Sequence, residues 1–267
     1  EGKTFIDDEM VTNLVKGFRE TKFKVKSSNL KDILINLQVP HTSVSTNLRY
    51  RIKSSLRSLS ILFGSKQSTS FIYEINSPAD YNPETVNELN GRFKFKSRFK
   101  MLEKNGCELV FHDLESEIFR KNLQMVDSYL PKLLGAALYY YYSGKSKSEI
   151  ISVLEVLKKF NPLDFDFLDT HPIYEYKLRK CLTAMVLGMT SDTLWDGNYS
   201  AYGYCLTITK DGEKIIDHLY NEDEFQDFLL HHSKLDVPDS GGHEFGKVFK
   251  KDDRFFIKLN LQIRYNT

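Results

Sequence analysis

Apolar residues recur at helical spacing through the middle third of the chain and alternate like strands on both sides of it. That change of period most constrains the fold. Ile118, Val126, Leu130, Leu133, Leu134, Ala137 and Leu138 fall at near-helical spacing within 117–142, and 148–160 and 174–188 repeat the behaviour, so helices are expected there. Upstream, an amphipathic helix is predicted at 5–18. Lys22, Lys24 and Lys26 then alternate with Phe23 and Val25, Asp32 opens an apolar run at 33–37, and Tyr50, Ile52 and 71–75 read as further strands. Downstream, 204–209 and 215–219 flank Lys210-Asp211-Gly212, a tight-turn signal. Asn221 and Glu224 resemble a capping box for a helix at 222–231, and 255–265 alternates as one strand. The expected class is α/β, in three segments: 1–77, 78–189 and 190–267. A loop carrying Pro78 and Pro83 marks the first boundary.

With 267 residues, 41% of them hydrophobic and 27% charged, the chain has the composition of a globular protein with a sizeable core, in one or two domains. The 37 basic and 36 acidic residues nearly cancel, so a polyanionic partner must meet a local basic face and not a global field. Cys107, Cys181 and Cys205 are odd in number and far apart, which argues against a disulfide framework or a structural zinc and for a reducing, cytoplasmic setting. The longest apolar patch, 133–142, is too short and too rich in tyrosine to span a bilayer. No membrane role is expected.

Metal-assisted phosphodiester hydrolysis needs carboxylates for the ion and a basic group near the attacking water. Asp32 and Lys53 meet that need if a hairpin brings the two strands together. Position 51, two residues before the lysine, is Arg and cannot hold a cation. Glu74 is the expected second carboxylate, with a surface salt bridge as its alternative. Arg92, Lys94, Lys96, Arg98 and Lys100 share one face of an expected strand over Phe93, Phe95 and Phe99; this is either a phosphate-tracking ladder or a solvated sheet face. His243 and Lys247 form a polar approach to the C-terminal strands, and Lys258, Asn260, Gln262 and Arg264 occupy one face of the last. Such side chains read base edges or grip phosphates, or simply face water.

Two stretches carry a family resemblance. KFKVKSSNLKDILI, RYRIKSSL and STSFIYEI in the first part, then LWDGNYSA, HLYNEDEFQDFLLHHSKLD and HEFGKVFKKDDRFFIKLNLQIRY in the last, resemble the HpaII family of type II restriction endonucleases. Together they cover about half the chain. Ser55, Arg57 and the AYGYC stretch depart from the family's pattern, and the resemblance places a helical segment upstream of Glu1. It implies a PD-(D/E)XK-like nuclease sheet with a helical middle and a C-terminal β-rich part. Asp32 would bind Mg2+, Lys53 would orient or activate water, and double-stranded DNA would be cut at a short symmetric site by a homodimer. A DNA-binding module that no longer cuts is the alternative, motivated by Arg51.

Overall fold

The computed structural model describes residues 61–64, 67–91, 93–166, 171–199, 222–237 and 245–265, and the backbone of strands at 33–38, 45–50, 204–208 and 214–218. Its centre is built from alternation. In β4 (Ser70–Asn76), Phe71, Tyr73 and Ile75 are buried, while Ile72 and Glu74 point the other way and are half-buried. β4 lies between β5 (Glu108–Leu114) and β10 (Arg254–Asn260), and β9 (Val248–Lys251) closes the far edge of this antiparallel four-stranded sheet. The register sets Tyr73 opposite Ile257 and Glu74 opposite Phe256. Segments 1–77, 78–189 and 190–267 thus each contribute to one sheet.

A second sheet joins β3 (Ile61–Gly64), β11 (Gln262–Tyr265) and β8 (Ser233–Leu235). Two hairpins complete the strands: β1 (Ile33–Gln38) with β2 (Ser45–Tyr50), and β6 (Tyr204–Ile208) with β7 (Lys214–His218) around the Asp-Gly signal. The helices are α1 (Lys94–Lys104), α2 (Glu117–Val126), α3 (Leu130–Ser143), α4 (Ile150–Phe160), α5 (Ile173–Leu187) and α6 (Glu222–His231). The fold is mixed α/β. Among the described residues, no helix is long and apolar enough to cross a membrane.

Helix α3 lies against the inner face of the four-stranded sheet. Tyr73 donates its hydroxyl to the Gly135 carbonyl at 2.6 Å, and Tyr142 donates to that of Asn260 at 2.9 Å. Gly135 permits the approach: a Cβ there would stand 2.8 Å from the Phe111 ring. Glu175 on α5 joins Lys158 of α4 at 3.1 Å and Arg179 at 2.7 Å, and Arg179 also pairs with Asp227 of α6. One ionic chain therefore ties three helices.

Three expectations are corrected. The segment around 92–100 is not a strand: Phe95, Phe99 and Leu102 lie four and three residues apart and make the buried face of helix α1, while Phe93 is left 68% exposed. Lys94, Lys96, Arg98 and Lys100 therefore do not share a face, and Arg92 lies outside the described residues. The helix expected at 117–142 is two. Asp127 ends α2 in an extended conformation, and Pro131, which has no N–H to return to residue 127, sits in the first turn of α3. The strand expected at 255–265 breaks at Leu261, whose N–H donates to the Thr69 carbonyl at 2.9 Å. β10 and β11 then serve different sheets. β3, β5, β8 and β9 were not among the expected elements.

Candidate active site

Asp32 immediately precedes β1, and Lys53 follows β2 by three residues. Both side chains lie outside the described residues, as do Arg51, Arg92 and His243. The backbone that carries the pair is described: β1 and β2 are antiparallel, with Ile33 opposite Tyr50. The strand ends that lead to Asp32 and Lys53 are therefore partners, with one and three residues of chain respectively to the two side chains. Three residues reach at most about 11 Å.

Glu74 projects from β4 onto the outer face of the four-stranded sheet. Its carboxylate accepts from Arg254 Nη1 at 3.1 Å and has His112 Nδ1 at 3.8 Å, with 24% of the side chain exposed. As a metal ligand it would have to give up the guanidinium. Among the described residues, no three His, Cys, Asp or Glu side chains come together as an ion site. Asp32 has the hard oxygen donors that suit a magnesium-type cation, whereas Glu74 as placed is already neutralised.

The outer face also holds an open cleft of about 320 Å³, lined by Ile72, His112, Glu115, Phe249, Lys251, Asp252, Arg254, Phe256 and Lys258. Lys258 pairs with Glu115 at 2.7 Å. Its expected companions do not share its surface: Asn260 is 0% and Gln262 1% exposed, and the Asn260 amide donates to Thr69 Oγ1 at 3.1 Å. Both lie buried where the chain leaves one sheet for the other, so neither side chain is placed to reach a base edge as the sequence suggested. Arg264 faces Asp236 at 2.6 Å, and Lys247 is exposed. Arg98, part of the expected ladder, is 2% exposed and donates to the carbonyls of Leu89, Asn87 and Gly246. His112 and Arg254 were missed in the sequence. The short run Leu109-Val110-Phe111, with its β-branched and aromatic residues following Gly106, is a signal that could have found the strand bearing His112.

The model of the HpaII restriction endonuclease family matches residues 1–265. The chain belongs to the HpaII restriction endonuclease family. It is similar to "Type II restriction enzyme HpaII" of Haemophilus parainfluenzae, with 34% identity over 255 residues, spanning 96% of this chain and 70% of that relative. No solved structure matches. Enzymes of the HpaII family are type II restriction endonucleases, that is, site-specific deoxyribonucleases.

Proposed function

We propose that this type II restriction endonuclease hydrolyses a phosphodiester bond of double-stranded DNA with Asp32 and Lys53 as its central pair, on a PD-(D/E)XK-like core. The carrying observation is the pairing of Ile33 with Tyr50, which sets side by side the strand ends that lead to the two residues. Asp32 supplies carboxylate oxygens to a divalent cation, Mg2+, and that ion when bound polarises a phosphoryl oxygen. Lys53 holds its ammonium by the attacking water and offsets the negative charge that grows on the phosphoryl group. Glu74 serves as the second carboxylate only once Arg254 turns away from it. Arg51 shares none of the metal binding.

DNA is held by local cations, since the chain carries a net charge of only +1. Helix α1 exposes Lys96, Lys100 and Lys104 at four-residue intervals, about 6 Å apart along the axis. That spacing is comparable to the separation of phosphates on one strand. Lys94, Lys247, Lys258 and Arg264 are further cations of the proposal, and Arg92 and His243 join it on their sequence positions alone. A short symmetric recognition site fits a homodimer.

The test is cleavage of mixed-sequence duplex DNA with and without Mg2+ by the parent, Asp32→Ala and Lys53→Ala, with DNA binding measured alongside. Discrete Mg2+-dependent fragments are expected from the parent, with rates lower by about 10²-fold or more in both variants at unchanged binding. Cleavage that survives in both variants would move the active site elsewhere. Binding by the parent without any cleavage would return the reading of a non-cutting module.

A further inference from the structure

Between α2, α5 and the loop at 190–199 lies a second cavity of about 240 Å³. Its walls include Trp195, Tyr199, Tyr176, Lys177, Lys180 and Asp127. We propose that this cavity binds a single unstacked nucleotide, its base against Trp195 and its hydrogen-bonding edge toward Asp127 and Lys177. The proposal rests on the reading of the chain as a DNA-cutting enzyme for the source of that nucleotide.

The chemistry suits a base better than an apolar partner. Trp195 and Tyr199 stand nearly parallel, at 25° with centroids 6.2 Å apart, and aromatic faces stack on any base. Beside them is a polar pair, Lys177 buried and Asp127 half-buried. Lys177, 9% exposed, donates to Asp127 Oδ2 and lies 5.1 Å from the Tyr129 ring and 5.6 Å from that of Phe165. Asp127 Oδ1 accepts from the Tyr129 N–H at 2.9 Å. Each carboxylate oxygen has a further lone pair and the ammonium has further N–H groups, so the pair offers an acceptor beside a donor. The pairing edge of every nucleobase presents the complementary set. In such aromatic surroundings these hydrogen bonds are strong, and leaving them unmade is costly, which disfavours a purely apolar occupant.

The site is also held in advance of binding. Asn122, 1% exposed, donates to the carbonyls of Thr190 and Thr193 at 2.9 and 2.8 Å and accepts from the Trp195 N–H at 3.0 Å. The indole N–H itself donates to the Asn198 carbonyl at 2.8 Å. A buried side chain thus fixes the loop that presents the ring, so little ordering remains to be done on binding. At the rim, Lys180 bonds to Glu222 at 2.6 Å and stands 5.7 Å from the Tyr176 ring; its ammonium is the group placed for a phosphate. The cavity has no room for a duplex, so a nucleotide from DNA must leave the stack to enter it.

Trp195 is the only tryptophan of the chain, so intrinsic fluorescence reports on this cavity directly. The full chain is titrated in metal-free buffer with each of the four deoxynucleoside monophosphates and with deoxyribose 5-phosphate. Cleavage of duplex DNA by the same preparation is measured in parallel. Saturable quenching by mononucleotides and none by the sugar phosphate is expected. Calorimetry, which does not need the indole, should show mononucleotide binding weakened about tenfold in Trp195→Ala and restored to within about threefold in Trp195→Phe. A cleavable duplex that displaces the bound mononucleotide identifies the natural occupant as a nucleotide extruded from DNA. A duplex that binds beside it identifies a free nucleotide. Absence of quenching while the parent still cuts DNA overturns the proposal and leaves the endonuclease reading intact. Absence of cleavage counts against the endonuclease reading alone. Emission that changes with protein concentration, with no effect of nucleotides, marks a self-association face and also overturns the proposal.

Discussion

Arg98 shows how far a side chain's role depends on where its backbone puts it. The guanidinium is buried and forks onto the carbonyls of Asn87 and Leu89 on one segment and of Gly246 on another far away in sequence. Removing it leaves those acceptors without their donor, so Arg98→Ala should cost about 3 kcal/mol in urea unfolding. Arg98→Lys should recover less than half, because one ammonium cannot reproduce the planar fork. Recovery to parental stability by lysine would refute this account. In the sequence Arg98 was one cation among five at alternating positions, and nothing local separated it from Lys96 or Lys100. The proposal of Asp32 and Lys53 has the opposite origin: a carboxylate at a strand start and a lysine after the next strand is a local pattern. The Trp195 cavity was not legible, since its walls come from positions between 125 and 199 that only the packing of α2 on α5 brings together.

At the scale of elements, most helices and strands expected among the described residues are present, and the basic segment at 92–100 is the one whose type was misread. Helices α4, α5 and α6 and the β6–β7 hairpin lie within a few residues of expectation. GRFKFKSRFK failed because its first half alternates while the register of Phe95, Phe99 and Leu102, which decides the burial, is helical. The helix gives the basic segment a different face, with Lys96, Lys100 and Lys104 in a row. Replacing Lys96 and Lys100 by Ala should lower the slope of log affinity for duplex DNA against log salt by about 2, with the unfolding midpoint unchanged. An unaltered slope would remove α1 from the DNA surface. A second element-scale device is the Lys158–Glu175–Arg179–Asp227 chain across α4, α5 and α6. Hydrogen bonding from Arg179, followed by that from Lys158, holds the Glu175 carboxyl below its usual range against the opposing effect of burial. A depressed folded pKa means that the stabilisation is complete above the ordinary glutamate range and fades as pH falls through the lowered value. Glu175→Gln should therefore cost about 1 kcal/mol at pH 7 and progressively less below pH of about 4, where the parent loses the same charge. A cost that stays constant down to acid pH would show that packing, and not the carboxylate, is responsible.

For the molecule as a whole, the position of β10 matters most. It is a central strand between β4 and β9, its continuation β11 is central between β3 and β8, and Tyr142 of α3 bonds to the carbonyl of Asn260 at the crossing. Ile257, Leu259 and Leu261 along this stretch are fully buried. The last residues of the described chain therefore complete a core that begins near Leu62. Such contacts span much of the sequence, so the described region is expected to unfold as one cooperative unit. Unfolding followed by Trp195 fluorescence, which reports on the α2–α5 region, should coincide in midpoint and slope with unfolding followed by far-ultraviolet circular dichroism. Leu259→Ala, a substitution in β10 distant from Trp195 in sequence, should shift both transitions together by about 3 kcal/mol. If that substitution moved the circular dichroism transition and left the tryptophan transition in place, the helical middle would be an independent folding unit, and the sheet that unites the segments would be a docking of separate cores.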